Sequence, residues 1–265
     1  MKKASTWASF ALGMLAVAAT AAYADETTFC NAYITTLPYT ISVQGHYCLN
    51  RNLSTAMTSG NAITINSDFV VLDLNNFKLG GGSAGLGTNT IGIYANSHRN
   101  ITVRNGNIRG FYIGIYLTGS STTSGGHLVE NNILDGNTYY GAYVNGDSFV
   151  VRNNTVVNTG GVPASSWVTG IYGYSYALAS IRDNVVSNTF NTGTGSMARG
   201  IFLNEGVADH NLVRAGAVTS GYAIGINGDV AAFCRDNTAL DNTSSWGYPG
   251  CTQIGPAGSN YTNNP

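Results

Sequence analysis

The segment that decides the fold is Thr90–Leu117, TIGIYANSHRNITVRNGNIRGFYIGIYL, which contains one short phrase twice. An apolar residue followed by Gly-Ile-Tyr occupies residues 91–94 and recurs at residues 113–116. Between the two copies lies Ile101–Val103, a second short run suited to a β-strand, followed by polar turn residues. A phrase that returns at this spacing is typical of a repeat protein.

The repetition extends through most of the chain, and two markers follow it. The first marker is a Gly followed by Ile or Ala, and its copies lie 22 to 30 residues apart: Gly92, Gly114, Gly141, Gly170, Gly200 and Gly225. The second is an Asn after the second strand of each repeat: Asn76, Asn107, Asn132, Asn154, Asn184, Asn211 and Asn237. Asn tolerates left-handed backbone, and stacked copies can hydrogen-bond to one another. The second marker therefore predicts a tight turn in every repeat.

The pattern within each repeat favours strands over helices. Helical periodicity is nearly absent, and three short alternating runs separated by Gly and Asn fill each repeat. Such units coil into a parallel β-helix, in which each strand pairs with its equivalent about 4.8 Å away along the axis. The sequence predicts an all-β solenoid of about seven coils with Ile, Val and Leu ladders inside. It also predicts a solvated ion ladder outside, formed by Arg104, Glu130, Arg152, Arg182 and Arg235.

The two ends of the chain differ from the repeats. Residues 1–24 start with Lys2 and Lys3, continue with a short apolar run and end in Ala22-Tyr23-Ala24, which is typical of a secretory signal peptide. The apolar run is shorter than the roughly 20 residues of a spanning helix, so we expect a secreted or periplasmic protein with no membrane span after cleavage. Residues 25–60 are predicted to form an N-terminal cap, residues 61–243 the β-helix, and residues 244–265 a C-terminal cap or tail.

Charge and cysteine content narrow the class further. Only 9% of the residues are charged, with a formal net charge of −1, so the chain has no basic stripe for nucleic acid. The four cysteines lie as one pair towards each end of the exported part, and four cysteines allow three pairings. We expect Cys30–Cys48 and Cys234–Cys251, two disulfides that staple the ends in an oxidising compartment.

The repeats carry a resemblance to a known group of proteins. Ile63-Thr-Ile, Val71-Leu-Asp-Leu-Asn, Gly92-Ile and Asn100-Ile-Thr-Val-Arg-Asn-Gly-Asn-Ile-Arg-Gly-Phe resemble secreted right-handed parallel β-helix proteins of the pectin-lyase-like superfamily, over about residues 60–242. That superfamily includes polysaccharide lyases, glycoside hydrolases, epimerases and noncatalytic adhesins. The resemblance implies a right-handed coil and a carbohydrate ligand lying along the sheet made by the first strand of each coil.

An aromatic stripe is predicted on that sheet. If the Ile after each marker Gly points inward, the next residue points outward. These outward residues are Tyr94, Tyr116, Tyr143, Tyr172, Phe202 and Asn227. Aromatic rings repeated along a rod suit the apolar faces of sugars, with the Tyr hydroxyl as a polar handle. They can equally form a cross-strand ladder that stabilises the sheet.

Acidic residues and one arginine give a possible catalytic set. Asp147, Glu205 and Asp229 closely follow outward stripe positions, and Glu205 and Asp229 belong to adjacent coils. Their carboxylates can approach within the hydrolase range of about 5–9 Å, can share a Ca²⁺, or can serve only as turn residues. Arg199 opens the first strand of its coil beside Gly200. Because Arg is the base in some β-helix lyases, the resemblance makes it the candidate base.

The sequence also lacks several motifs of the related enzymes. It has no Asn-Thr-Asp, Asp-Asp or Gly-His-Gly, and its four histidines do not cluster into a metal site or triad. The sequence therefore predicts an exported β-helix protein that binds polysaccharide or another glycan along an aromatic-lined face. The alternatives are a polysaccharide lyase or glycoside hydrolase acting on an acidic polysaccharide, with Ca²⁺ as a possible cofactor, and a structural, adhesin-like rod.

Overall fold

The computed structural model describes residues 29–119, 125–162, 167–193, 196–218, 221–240, 244–246, 252–253 and 261–263. Its strands stack in three columns along a parallel solenoid of about seven turns, as the sequence predicts. In the described ranges the only helical element is a 3-10 turn at Gly82–Ala84. The predicted signal peptide, residues 1–24, lies outside these ranges.

The strands fall into three columns, which include short strands at both ends of the solenoid. The first column contains Tyr39–Ile41, Asn61–Ile65, Ile91–Asn96, Ile113–Thr118, Tyr140–Asn145, Trp167–Tyr174, Ser196–Asp209, Gly221–Arg235 and Ser244–Trp246. The second contains Ala32–Ile34, Gly45–Leu49, Val70–Asp73, Thr102–Arg104, Leu128–Glu130, Val150–Arg152, Ser180–Arg182 and Thr252–Gln253. The third contains Leu53–Ser54, Lys78–Gly80, Asn107–Arg109, Ile133–Asp135, Thr155–Val157, Val185–Asn191, Leu212–Val218, Thr238–Leu240 and Tyr261–Asn263.

Two long strands join the first and second columns. Ser196–Asp209 and Gly221–Arg235 run through both columns, so the described strands form one 17-stranded and one 9-stranded parallel sheet. Neighbouring strands pair in register along each column, for example Ile63 with Ile93 and Ile93 with Ile115. The core lies inside the coil, where these isoleucines are fully buried.

The marker glycines are required by the close approach of successive coils. A Cβ atom on Gly92 would lie 2.5 Å from the carbonyl oxygen of Gly114. A Cβ atom on Gly114, Gly141, Gly170 or Gly200 would likewise lie 2.6 to 2.7 Å from the next coil's backbone oxygen. Real Cβ atoms do not approach oxygen that closely. Only glycine therefore fits at the first position of the Gly-Ile phrase in these coils.

Coils also form within the two predicted caps. Inside residues 25–60, Tyr39–Ile41, Gly45–Leu49 and Leu53–Ser54 pair with the three strands of the next coil. Inside residues 244–265, Ser244–Trp246 and Tyr261–Asn263 continue the first and third columns. These strands have two to five residues, which is too short for alternation to stand out in the sequence.

A disulfide fastens the N-terminal end, as predicted. Cys30 is bonded to Cys48, with their Cα atoms 5.8 Å apart. The second predicted pair is Cys234–Cys251. Cys234 is fully buried, and Cys251 lies outside the described residues, so that pairing stays a prediction.

The predicted ion ladder is confirmed only in part: the second column carries three separate ion pairs between coils, two of them with the buried acids Asp73 and Asp209, which were not predicted. Ion pairs join Asp73 to Arg104 at 2.7 Å, Glu130 to Arg152 at 2.7 Å and Asp209 to Arg235 at 2.6 Å. Arg182 pairs instead with the adjacent Asp183, at 3.2 Å. The sequence analysis did not include Asp73 and Asp209 in the ladder, because both occupy a position at which most coils carry Arg.

Five of the seven marker asparagines form a buried ladder: Asn132, Asn154, Asn184, Asn211 and Asn237. Each of the first four donates its amide nitrogen to the side-chain oxygen of the next Asn at 2.9 to 3.2 Å. The predicted stacking is therefore confirmed for these five.

The turn geometry differs from the prediction in its position. The left-handed residue is the one before each ladder member, such as Asn131 with φ 55° and Asn153 with φ 55°. Asn107 does not join the ladder, because Gly106 takes the equivalent place and binds Asn132 Oδ1. Asn76 is exposed and lies outside the ladder, but its own backbone is left-handed with φ 63°, as predicted for the marker.

The ladder predicts a large cost for replacing Asn184 with Ala. Asn184 Oδ1 accepts hydrogen bonds from the Asn154 backbone and side-chain nitrogens, both at 3.0 Å. Without it the buried Asn154 backbone N–H has no acceptor, and Val151 O and Asn211 Oδ1 lose the donor that Asn184 Nδ2 supplies, so the free energy of unfolding should fall by about 2–4 kcal/mol. Chemical denaturation measures this loss. Asn50→Ala, at an exposed position, is the matched control, and an equal effect of both variants would contradict the ladder's role.

A single histidine interrupts the apolar core and predicts acid sensitivity. His127 is 1% exposed, stands between Ile101 and Phe149 of the adjacent coils, and has no hydrogen bond to either ring nitrogen. Burial lowers its pKa to about 4, and the nearby charged groups Asp68 and His98 act in opposite directions.

An unfolded histidine titrates near pH 6.5, so between pH 6.5 and 4 the unfolded chain binds more protons than the folded one. Stability from this group is therefore complete above pH 6.5 and falls by about 3 kcal/mol as the pH drops to 4. Denaturation at several pH values should show this loss in the parent protein and its absence in His127→Leu. Equal pH dependence of the two proteins would contradict the assignment to His127.

Candidate functional site

The outward side of the first column carries the predicted aromatic stripe. The inward positions Ile93, Ile115, Ala142, Ile171 and Ile201 are all fully buried. Their successors pair in register from coil to coil, which confirms the predicted alternation: Tyr94, Tyr116, Tyr143, Tyr172 and Phe202, with Asn227 in the following coil. These five rings are half-buried. We call them the aromatic ladder.

The rings of the aromatic ladder stack on one another. Centroids of consecutive rings lie 5.4, 4.9, 4.8 and 4.6 Å apart, and the interplanar angles are 5°, 16°, 4° and 21°. Each inner ring therefore has both faces covered by its neighbours. The ladder is therefore left with a row of ring edges, and the hydroxyls of Tyr116 and Tyr143 lie in hydrogen-bonding reach of Thr118 and Asn145, respectively.

Burial sets the ionisation of these phenols. It raises the pKa of Tyr143 to about 12 and also raises the pKa of Tyr116 and Tyr172. The phenol groups consequently remain protonated at neutral pH, and each hydroxyl can both donate and accept a hydrogen bond.

A second aromatic group lies beside the ladder, and the sequence reasoning did not single it out. Tyr112 stacks on Tyr139 with centroids 4.8 Å apart, and Tyr140 is tilted against Tyr139, Tyr143 and Tyr172. Trp167 Nε1 donates to Tyr139 Oη at 3.1 Å. The signal was available in part, because Tyr140 and Arg199 both precede a marker Gly directly and thus share one place in the coil.

Arg199 completes this group. Its guanidinium carbon lies 5.5 Å from the ring centroid of Trp167 and 5.1 Å from that of Phe202. Nη2 lies 3.7 Å from Met197 Sδ, whereas Nε is buried and has no hydrogen-bond partner. Burial lowers the pKa of the guanidinium, although it stays cationic at neutral pH. No carboxylate of the described residues lies within ion-pair distance of it.

None of the three acidic candidates forms an ion pair with this arginine among the described residues, although Asp229 is close enough to act on the phenol of Tyr172. Asp147 lies in the turn after Tyr140–Asn145, where Oδ1 accepts a hydrogen bond from the Tyr176 backbone at 3.1 Å. Glu205 lies six residues beyond Arg199 on the same strand, opposite Ala231. Asp229 belongs to the adjacent strand, where the register shifts between Leu203 and Glu205. The structure thus brings together Arg199 and the aromatic residues rather than Arg199 and the acids.

Two clusters of metal-ligand side chains occur among the described residues. Each has three His, Cys, Asp or Glu side chains with ligand atoms within 4.8 Å of one another: Cys30, His46 and Cys48, and Asp209, His210 and Asp236. The two sulfurs of the first set are joined to each other. The carboxylate of Asp209 in the second is paired with Arg235.

Comparison with known proteins places the chain in a family. No curated protein and no solved structure matches the sequence. Residues 30–205 match the family model described as "Periplasmic copper-binding protein (NosD)". In the described residues no helix is long and apolar enough to cross a membrane. The match covers most of the chain, so this protein belongs to the NosD family, a family of periplasmic, right-handed, pectin-lyase-like β-helix proteins.

Proposed function

We propose that this periplasmic β-helix protein binds a glycan along the outer side of its first column. The observation that carries the proposal is the aromatic ladder, in which five successive coils place a half-buried ring at one position. An aromatic row of this length on a protein surface is a feature of ligand-binding faces. The ladder also stabilises the sheet, since each cross-strand pair contributes about 0.2–1 kcal/mol.

The stacking determines how a sugar would be held. Ring faces within the ladder cover one another, so they are not open to the apolar face of a sugar ring. Ring edges and protonated phenol hydroxyls remain, repeated about every 4.8 Å along the axis. A glycan lying parallel to the axis would meet one hydroxyl in each of four consecutive coils, from Tyr94 to Tyr172.

Copper, which the family description names, does not fit the donor groups of the residues that the structure describes. Copper sites in proteins use several imidazoles or soft sulfur ligands. The set at His46 offers one imidazole beside two sulfurs already bonded to each other, and the set at His210 offers one imidazole beside carboxylates. His98 is bound to Asp68 and Asn66, and His127 is buried among apolar side chains. The proposed function therefore includes no copper site.

The enzymatic and structural alternatives remain predictions. A polysaccharide lyase or glycoside hydrolase would rely on Arg199, Glu205, Asp229 and Asp147, with or without Ca²⁺. An adhesin-like rod would use the ladder only as scaffold. One screen separates the three functions.

The screen incubates the mature protein with a panel of neutral and acidic polysaccharides, with and without Ca²⁺. Retention on a polymer, new reducing ends and ultraviolet absorbance from unsaturated uronate are measured together. We expect retention without cleavage. New ends on any polymer would replace the binding function with an enzymatic one, and no retention on any polymer would favour the rod.

The binding mode predicts that the phenol hydroxyls matter more than ring bulk. Tyr116→Phe combined with Tyr172→Phe keeps the stacked rings but removes two hydrogen-bonding groups, so affinity for the retained polymer should fall about tenfold. Unfolding measurements should show a stability close to that of the parent. Affinity gel electrophoresis measures the loss.

Tyr33→Phe is the matched control, because Tyr33 is an exposed tyrosine on Ala32–Ile34, in the second column. It should leave affinity unchanged. If the double variant bound as tightly as the parent, the aromatic ladder would be scaffold alone.

A further inference from the structure

The guanidinium of Arg199 is partly removed from water and has no carboxylate partner among the described residues, whereas Arg51 and Arg214, which also form no ion pair, are exposed. Arg104, Arg152 and Arg235 each have a carboxylate oxygen at 2.6 to 2.7 Å. Arg199 is half-buried, its Nε is buried without a hydrogen bond, and its nearest polar contact is the weak acceptor Met197 Sδ. A charge removed from water without a partner is costly, and proteins keep such groups where a ligand supplies the partner.

The surroundings of Arg199 compensate for only part of that cost. The rings of Trp167 and Phe202 contact the guanidinium by cation–π interaction. Tyr139, Tyr140 and Tyr172 are close enough to act on its charge. These groups supply N–H and O–H donors and aromatic rings, and Asp229, which acts on Tyr172, forms no ion pair with Arg199 among the described residues. The planar N–H fork of Arg matches an oxyanion better than any neutral group.

We infer that Arg199, Trp167, Phe202 and the adjacent tyrosines Tyr139, Tyr140 and Tyr172 form a binding site for one oxyanion group of a ligand. A single guanidinium with no second cation suits a singly charged group, and a carboxylate accepts two parallel hydrogen bonds from its fork. The flanking rings suit a ligand whose anionic group is attached to an apolar or ring-shaped body. The site stands whether or not a glycan binds the aromatic ladder, because it depends only on the environment of Arg199.

The site contains its own reporter. Trp167 lies against the guanidinium, and Trp246 is the only other tryptophan after residue 24. An anion that draws the guanidinium towards itself will change the field at the Trp167 indole and thus its fluorescence. Trp167→Phe assigns the signal, since the remaining fluorescence then comes from Trp246.

The test titrates the mature protein with sodium glucuronate, with glucose as the neutral analogue and with sodium sulfate, all at constant ionic strength. We expect a saturable fluorescence change with a millimolar Kd for glucuronate and none for glucose. A saturable response to sulfate that matched or exceeded the response to glucuronate would also support an oxyanion site, and would assign it to inorganic anions rather than to carboxylates.

Variants identify the residue responsible. Arg199→Gln should weaken glucuronate binding about tenfold or more, because a charge-assisted hydrogen-bonded pair is lost. Arg199→Lys, which keeps the charge but not the fork, should fall between the parent and the Gln variant. Arg214→Gln, at an exposed arginine of the third column, is the matched control and should bind as the parent does.

Thermal unfolding with and without ligand distinguishes lost binding from a variant that does not fold. Glucuronate should raise the Tm of the parent and of Arg214→Gln but not that of Arg199→Gln, whatever the Tm of each protein without ligand. Equal affinities of the parent and Arg199→Gln, an equal response to glucose and glucuronate, or no saturable response to either anion would overturn the inference. Glycan retention is measured separately, so either result leaves the proposed ladder function to its own test.

Discussion

The buried asparagine ladder is the constraint on which the rest of the structure depends. Each side-chain amide donates from Nδ2 to the Asn Oδ1 of the next coil, so the second and third strands of neighbouring coils can pair in only one alignment. Strand side chains alternate with a period of two, and a slip of one residue would turn every outward side chain into the core. The alignment of the rings from Tyr116 to Phe202 is therefore set inside the solenoid, by polar side chains that are buried.

The glycine column adds a second constraint of a different kind. Backbone oxygens of one coil occupy the space where a Cβ of the preceding coil would lie, which holds the first column at its close spacing. The rings of the aromatic ladder are consequently near 5 Å apart, and at this spacing they stack face to face. Stacking removes their faces from solvent and leaves hydroxyls and edges, so the same packing that orders the surface also decides which chemistry it offers.

Sequence reasoning succeeded where a physical requirement repeats. Gly92-Ile93-Tyr94 and its copies each combine a residue without Cβ, an inward apolar residue and an outward ring. The fold follows from the repetition of this combination. Sequence reasoning failed at positions in the coil where a given residue type occurs only once or twice. Tyr140 and Arg199 occupy one such place with different residue types, so no pattern linked them. The missing carboxylate beside Arg199 is a three-dimensional fact that no spacing expresses.

The N-terminal disulfide has a consequence for how molecules of this protein meet. A parallel solenoid ends in strands whose outer hydrogen-bonding groups can accept a strand from another molecule. Ala32–Ile34 covers the second column by pairing with Tyr47–Leu49, and the Cys30–Cys48 bond fastens this covering strand to its neighbour. The strand can move aside only with the coil beneath it. A single covalent bond thus opposes the displacement of this strand by a strand of a second molecule in the second column.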